Sequence, residues 1–128
     1  MGKYGKAALK AAILMKSGEY DHPADAWEIA TIEIFGKGTS SQRKVCPKST
    51  FLALCERGLI KGVLPGDYTN AEENKEYAIK AVQILKNNPK KSFNANTLWK
   101  EVIGNMKKSP NGQMDVVLTI WNEKLISS

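Results

Sequence analysis

Apolar side chains recur at three- and four-residue intervals along most of this chain, which is the spacing of amphipathic helices. No stretch of the sequence shows the two-residue alternation of a half-buried strand. Glycine and proline divide the pattern into helical segments. We therefore predict an all-α protein with six helices, over residues 2–17, 23–35, 47–57, 69–88, 94–106 and 113–125.

Local signals predict how several helices end and begin. Gly18 and Gly58 are typical left-handed stops, and an apolar Leu-Ile pair after Gly58 is expected to pack back on its helix. Two further predictions concern the connector before the fourth helix, residues 62–68. Pro65-Gly66 predicts a type II turn, and Thr69 with Glu72 predicts a capping box.

The chain also repeats itself. Similar segments follow one another in the same order in each half: 8–16 and 78–86, 26–29 and 98–101, 51–60 and 117–126. Internal repetition of this kind indicates a duplicated supersecondary unit. A unit of half this length is marginal alone, so the two should share a core. We predict a single domain, 1–128, built from two tandem three-helix repeats over 1–62 and 69–128, with aromatic core anchors Trp27, Phe51, Tyr77, Trp99 and Trp121.

The order of helices in each repeat resembles a helix-turn-helix unit. The loop over residues 36–46 is longer than the three- or four-residue turn of that motif. The sequence therefore favours a three-helix bundle first and a DNA-binding motif second.

Charge brings nucleic acid into consideration. Lysine and arginine outnumber aspartate and glutamate by 19 to 13, a balance compatible with an acidic partner. The third helix is expected to expose Ser49, Ala53, Glu56 and Arg57, with Thr50 at the edge, whereas the matching face of the sixth helix is acidic. The nucleic-acid hypothesis therefore uses the first repeat, through Lys37, Arg43, Lys44, Lys48, Ser49, Arg57 and Lys61.

Two alternatives to this hypothesis stay open. The basic loop can simply be solvated, and the chain can be a helical protein-interaction or structural module, including a homodimer. Lysines of the first helix extend the basic surface in the nucleic-acid interpretation, namely Lys3, Lys6 and Lys10.

The sequence offers little catalytic chemistry. The single histidine, His22, precedes Pro23 and is expected to start a helix rather than act as a base. Cys46 and Cys55 form neither a disulfide framework nor a zinc site. The phosphate-loop motif fails at residues 36–39, which follow a helix and lack the upstream glycine. We expect no enzyme, cofactor or metal; a reactive Cys46 at a helix start is the one enzymatic alternative.

No apolar run is long enough to cross a membrane, and the first sixteen residues lack the cleavage site of a signal peptide. We therefore expect a cytoplasmic protein without a membrane partner.

Three segments carry a resemblance to a known family. Met-Gly-Lys-Tyr-Gly-Lys-Ala-Ala at the start, residues 46–62 and residues 112–118 are similar to a family of small, uncharacterised bacterial and phage-associated proteins, a domain of unknown function. The resemblance spans nearly the whole chain and implies a bacterial or phage-related cytosolic protein. It implies no activity, ligand or site residue. Our interpretation is a non-catalytic binding module whose first candidate ligand is nucleic acid.

Overall fold

The computed structural model describes residues 1–127, and the prediction of an all-α protein is confirmed for them. Their only β pairing is a single bridge between Ile60 and Ile126. The helices begin and end within three residues of the predicted bounds. They are α1 (Lys3–Lys16), α2 (Pro23–Phe35), α3 (Val45–Glu56), α4 (Glu72–Asn87), α5 (Ala95–Ile103) and α6 (Gln113–Asn122).

Three of the predicted helix ends are confirmed. Gly18 and Gly58 adopt φ of +80° and +67°, the left-handed conformation that glycine takes without steric cost. His22 precedes α2 as its N-cap, where its Nδ1 accepts a 3.0 Å hydrogen bond from the backbone N–H of Ala24. The lone histidine thus starts a helix.

Both expectations for the connector are wrong, because Tyr68 and the Glu56 carboxylate shape this segment. Gly66 lies outside the left-handed region required for a type II turn, and the Tyr68 ring packs directly against it. The Glu56 carboxylate accepts hydrogen bonds from the backbone N–H groups of Tyr68 (2.9 Å) and Thr69 (3.1 Å). Thr69 therefore lies outside the helix, and Ala71 is the N-cap of α4.

The helices enclose one hydrophobic core. α1 packs against α2 and α6, while α4 packs against α3 and α5, so the first helix of each half contacts the third helix of the other. Four of the five predicted aromatic anchors are buried, as two pairs: Trp27 with Phe51, and Tyr77 with Trp99. Trp121 is the exception, because it is half-buried at the surface.

The segments after α3 and α6 contact each other reciprocally. The Lys61 N–H donates to the Leu125 carbonyl (2.8 Å), and the Ser127 N–H donates to the Leu59 carbonyl (2.9 Å). These are equivalent positions in the proposed alignment of the two halves. The duplication itself stays a prediction, and this exchange of hydrogen bonds is the contact that a two-fold arrangement of equivalent units would make.

α1, α3 and α6 all begin at one end of the bundle, called here the N-terminal end. Asp115 in the first turn of α6 contacts Gly2 and Gly5 at the start of α1. Gly112, just before α6, lies against Tyr4 and Pro47. The opposite, C-terminal end holds the bridge between the two tails.

Candidate nucleic-acid interface

Two aromatic rings pack against each other at the N-terminal end, with their planes tilted by 38°. The ring centroids of Tyr4 in α1 and Phe35 at the end of α2 are 4.7 Å apart, and we call this pair the aromatic platform. The Lys3 ammonium lies 5.9 Å from the Phe35 ring and the Lys44 ammonium 5.8 Å from the Tyr4 ring, within the range of a cation–π contact. The Tyr4 hydroxyl also donates to the Ser41 carbonyl (2.9 Å), which fastens the loop to α1.

The basic loop between α2 and α3 is held from beneath by Gln42. This side chain is 9% exposed, and its Nε2 donates a 3.1 Å hydrogen bond to the buried Thr31 hydroxyl. Its Oε1 accepts a 3.2 Å hydrogen bond from the Gly38 N–H. Because the amide group is satisfied on both sides, the loop has a defined shape that leaves its cationic side chains at the surface.

The structure brings together four of the seven residues predicted for nucleic-acid binding. Lys37, Arg43, Lys44 and Lys48 are exposed, and all belong to the loop or to the first turn of α3. Lys3 joins them through the aromatic platform. We call Lys3, Lys37, Arg43, Lys44 and Lys48 the basic surface.

The other three predicted residues are not part of this surface. Arg57 and Lys61 are exposed but follow the C-terminal end of α3, which at 12 residues is about 18 Å long. Ser49 is 6% exposed and is therefore inaccessible to a large ligand.

The expectation that α3 exposes a DNA-contacting face is wrong. Ser49, Thr50 and Ala53 are 6%, 0% and 1% exposed, because α4 packs over this side of α3. The matching face of α6 is also covered, since Thr119 is buried and Asp115 is bonded to α1. The sequence missed this because each face carries small and polar residues, which are usual at a surface but also permit close helix packing.

The first helical turn of α3 adds a partial positive charge to the basic surface. Lys44 is its N-cap, and no side chain within residues 1–127 caps the first backbone N–H groups. Val45, which follows Lys44, is 64% exposed. An exposed, uncapped helix N-terminus favours anions, because its N–H groups and the helix dipole both point outward.

Two neighbouring acidic groups are already paired, whereas the exposed Asp67 lines a concavity together with Val45 and Lys48. Glu33 pairs with Lys10 on α1, which takes Lys10 out of the set of free cations. The Asp115 carboxylate is directed at backbone N–H groups of α1. Lys6 remains exposed one turn beyond Lys3.

Three further observations concern metal binding, thiol reactivity and membrane crossing. No group of three or more His, Cys, Asp or Glu side chains within residues 1–127 is placed to share a metal ion. Burial raises the pKa of the Cys55 thiol, which disfavours its reactive thiolate form. No helix in this part of the chain has the length and apolar character needed to cross a bilayer.

The fold defines the protein as an all-α helical bundle. The chain belongs to the family of unknown function DUF6979, which covers residues 1–127. No curated protein and no solved structure matches the chain. The resemblance noted from the sequence is confirmed to the extent that a family of unknown function spans nearly the whole chain. The bacterial or phage association stays a prediction.

Proposed function

We propose that this protein is a non-catalytic module that binds the phosphate backbone of nucleic acid through the basic surface. The observation that carries the proposal is the contact of Lys3 and Lys44 with the aromatic platform, to which the loop and the first turn of α3 add the exposed Lys37, Arg43 and Lys48. Cations held in place lose less side-chain freedom on binding than mobile ones. Neutralising phosphates with such groups releases counterions, which drives association.

The same geometry argues for binding with little sequence preference. Base edges are read by side chains that enter a groove, whereas phosphate contacts carry no sequence information. The face of α3 that was expected to enter the groove is covered by α4. The remaining contacts are cations and the N-terminus of α3, both of which recognise phosphate.

The proposal is tested by measuring duplex DNA binding as a function of salt. A variant with Lys37, Arg43, Lys44 and Lys48 all changed to Gln is compared with the unaltered protein by fluorescence anisotropy. We expect the magnitude of the negative slope of log K against log salt to fall by about 3.6, because each of the four lost phosphate contacts contributes about 0.9.

A matched control removes the same charge elsewhere. Its four substitutions to Gln fall on exposed lysines of α4, α5 and the loop between them: Lys80, Lys86, Lys90 and Lys100. We expect this variant to keep most of the binding. Equal losses in the two variants, or no binding by the unaltered protein at low salt, would contradict the proposal.

A second candidate function is self-association through α1. Ile13 is 56% exposed, and with Leu9 and Leu14 it forms an apolar strip beside Lys6 and Lys10. A strip of this kind suits a helix–helix contact. Light scattering tests it: a dimer that becomes a monomer on Ile13→Glu supports the interface, and a monomeric unaltered protein excludes it.

We also propose that the protein acts in the cytoplasm of a bacterial cell. Within residues 1–127 both cysteines are free thiols, which suits a reducing compartment. Cell fractionation of the expressed protein tests this, and recovery outside the cytoplasm would contradict it.

A further inference from the structure

A separate concave site lies at the C-terminal end of the bundle, where the tails after α3 and α6 pair. It is open to solvent, has a volume of about 380 Å³ and is lined by Lys61, Trp121, Asn122, Lys124 and Ile126. We propose that this seam site binds a planar aromatic anion, namely a nucleobase that carries a phosphate. The site is distant from the basic surface, and the proposal does not depend on that surface binding nucleic acid.

The pairing of the two tails gives the site a fixed floor. Ile60 and Ile126 form the bridge and are both buried, with their neighbours joined by the reciprocal backbone hydrogen bonds. Lys61 comes from the first tail, whereas Trp121 and Lys124 come from the end of α6. The site therefore exists only when both halves of the chain are folded together.

The Trp121 indole distinguishes this site from the rest of the surface. The other two tryptophans, Trp27 and Trp99, are 2% and 4% exposed, whereas Trp121 is half-buried and lines the concavity. A partly exposed indole at the wall of a pocket is a stacking surface for a nucleobase. The volume is also within the range of small-molecule sites.

Lys124 supplies a second, independent indication. It is the only non-glycine residue within residues 1–127 with positive φ, at +60°. Gly58 occupies the corresponding position after α3, with φ of +67°. Glycine adopts positive φ without steric strain because it has no Cβ. At Lys124 a residue with a side chain adopts this conformation, and that side chain lines the pocket together with Lys61.

The composition of the site specifies the ligand class. Two ammonium groups favour a phosphate, and the indole favours an aromatic ring. Asn122 adds an amide that can donate to and accept from a base edge. The same chemistry is offered by a free mononucleotide and by an unstacked nucleotide of a single strand.

A structural role for the lysines is the alternative explanation. Cations near the carbonyl ends of α3 and α6 offset the negative end of each helix dipole. This role predicts that the protein has no affinity for nucleotides. It also predicts that losing the ammonium at position 124 changes only stability.

Tryptophan fluorescence with adenosine 5′-monophosphate is the direct experiment. We expect saturable quenching in the unaltered protein, and affinity about tenfold weaker for adenosine and for ribose 5-phosphate, since each lacks one half of the ligand. Trp121→Phe should abolish the quenching. No saturable quenching with up to about 5 mM nucleotide overturns the proposal.

Lys124→Gly separates binding from folding. Glycine relieves the backbone at this position, so we expect the melting temperature to rise while the affinity for the nucleotide falls about tenfold. A higher melting temperature with unchanged affinity overturns the proposal. Lys90→Ala, at an exposed loop position, is the control that should change neither.

A comparison of an oligonucleotide with the mononucleotide shows whether the site binds part of a strand or a free nucleotide. The comparison uses the variant with Lys37, Arg43, Lys44 and Lys48 changed to Gln, so that the basic surface does not compete for the strand. If a single-stranded adenine oligomer quenches Trp121 at lower concentration than the mononucleotide, the site is assigned to a strand; the reverse order assigns it to a free nucleotide. Variants of the basic surface should leave mononucleotide binding unchanged. If they abolish it, the seam site is not where the nucleotide binds.

Discussion

The Asp115 carboxylate in α6 accepts a 2.7 Å hydrogen bond from the backbone N–H of Gly5 in the first turn of α1. Its other oxygen accepts a 3.0 Å hydrogen bond from the N–H of Gly2. The first N–H groups of a helix have no partner within that helix, and an acidic side chain of another helix satisfies two of them here. The cap therefore also ties the two ends of the chain together.

We predict that Gly5→Ala destabilises the protein, although alanine normally favours a helix over glycine. A Cβ at Gly5 would lie 2.8 Å from Asp115 Oδ1 and closer still to Thr119 Oγ1, so α1 would have to move away from α6. We expect a loss of about 2 kcal/mol in the free energy of unfolding, measured by urea denaturation. Thr119→Ala in the same chain should restore part of the loss. A Gly5→Ala protein as stable as the original would show that α1 and α6 are not this close.

A second prediction concerns the pair formed by Glu56 and Lys75. The Lys75 ammonium lies 2.6 Å from the Glu56 carboxylate, and the two side chains are 17% and 13% exposed. With the backbone N–H groups of Thr69 and Tyr68, this contact holds the pKa of the Glu56 carboxyl at about 2, below its ordinary value. A lowered pKa means that Glu56 contributes stability above its ordinary pKa and that this contribution is lost as the pH falls through the folded value.

Glu56→Gln should therefore lower the free energy of unfolding by about 2 kcal/mol at neutral pH, with a difference that shrinks between about pH 5 and pH 2. Glu73→Gln is the matched control. Glu73 also pairs with a lysine, Lys108, at 2.9 Å, but these side chains are 62% and 46% exposed. An ion pair in solvent contributes little, so this variant should remain close to the original. Equal effects of the two substitutions would contradict the assigned role of Glu56.

A third prediction separates the two thiols. Cys46 is half-buried in the first turn of α3, whereas Cys55 is fully buried and its pKa is raised by that burial. A disulfide reagent such as dithionitrobenzoate should therefore modify one thiol rapidly in the folded protein and both in urea. Cys46→Ala should remove the rapid reaction. Rapid modification of Cys55 in the folded protein would mean that α3 is more loosely packed than the structure shows.

Helix positions were predictable from the sequence because they depend on local signals. Gly18, Gly58 and Pro23 act on their own helix ends, and the structure uses each as expected. The connector could not be predicted in the same way. The Glu56 carboxylate, thirteen residues earlier in the chain, accepts a hydrogen bond from the Thr69 N–H. Thr69 therefore does not form the capping box with Glu72 that the local sequence predicts.

The candidate site was predictable only in part, for a related reason. The charges of Lys37, Arg43, Lys44 and Lys48 are close in sequence, so their proximity follows from the chain itself. The burial of Ser49 does not, because it depends on α4, which packs against α3 from the other half of the chain. The contribution of Lys3 likewise requires the packing of Tyr4 against Phe35, a contact between different helices.

The ends of α3 and α6 provide the last prediction, since they have the same hydrogen bonds but different residues in the left-handed position. Leu59 N–H donates to the Leu54 carbonyl (2.9 Å) after Gly58, and Leu125 N–H donates to the Ile120 carbonyl (3.0 Å) after Lys124. Lys124→Gly should raise the free energy of unfolding by about 1 kcal/mol, which is about 4 °C in melting temperature.

Gly58→Ala should lower the free energy of unfolding by a similar amount. The new Cβ would meet Pro65 at 3.6 Å, an ordinary contact, so the cost would come from φ and not from crowding. Lys124→Ala removes the ammonium group but leaves a non-glycine residue at positive φ. The free energy of unfolding should therefore stay nearly unchanged. If Lys124→Ala and Lys124→Gly stabilise the protein equally, the cost at this position arises from the ammonium group and not from the left-handed backbone.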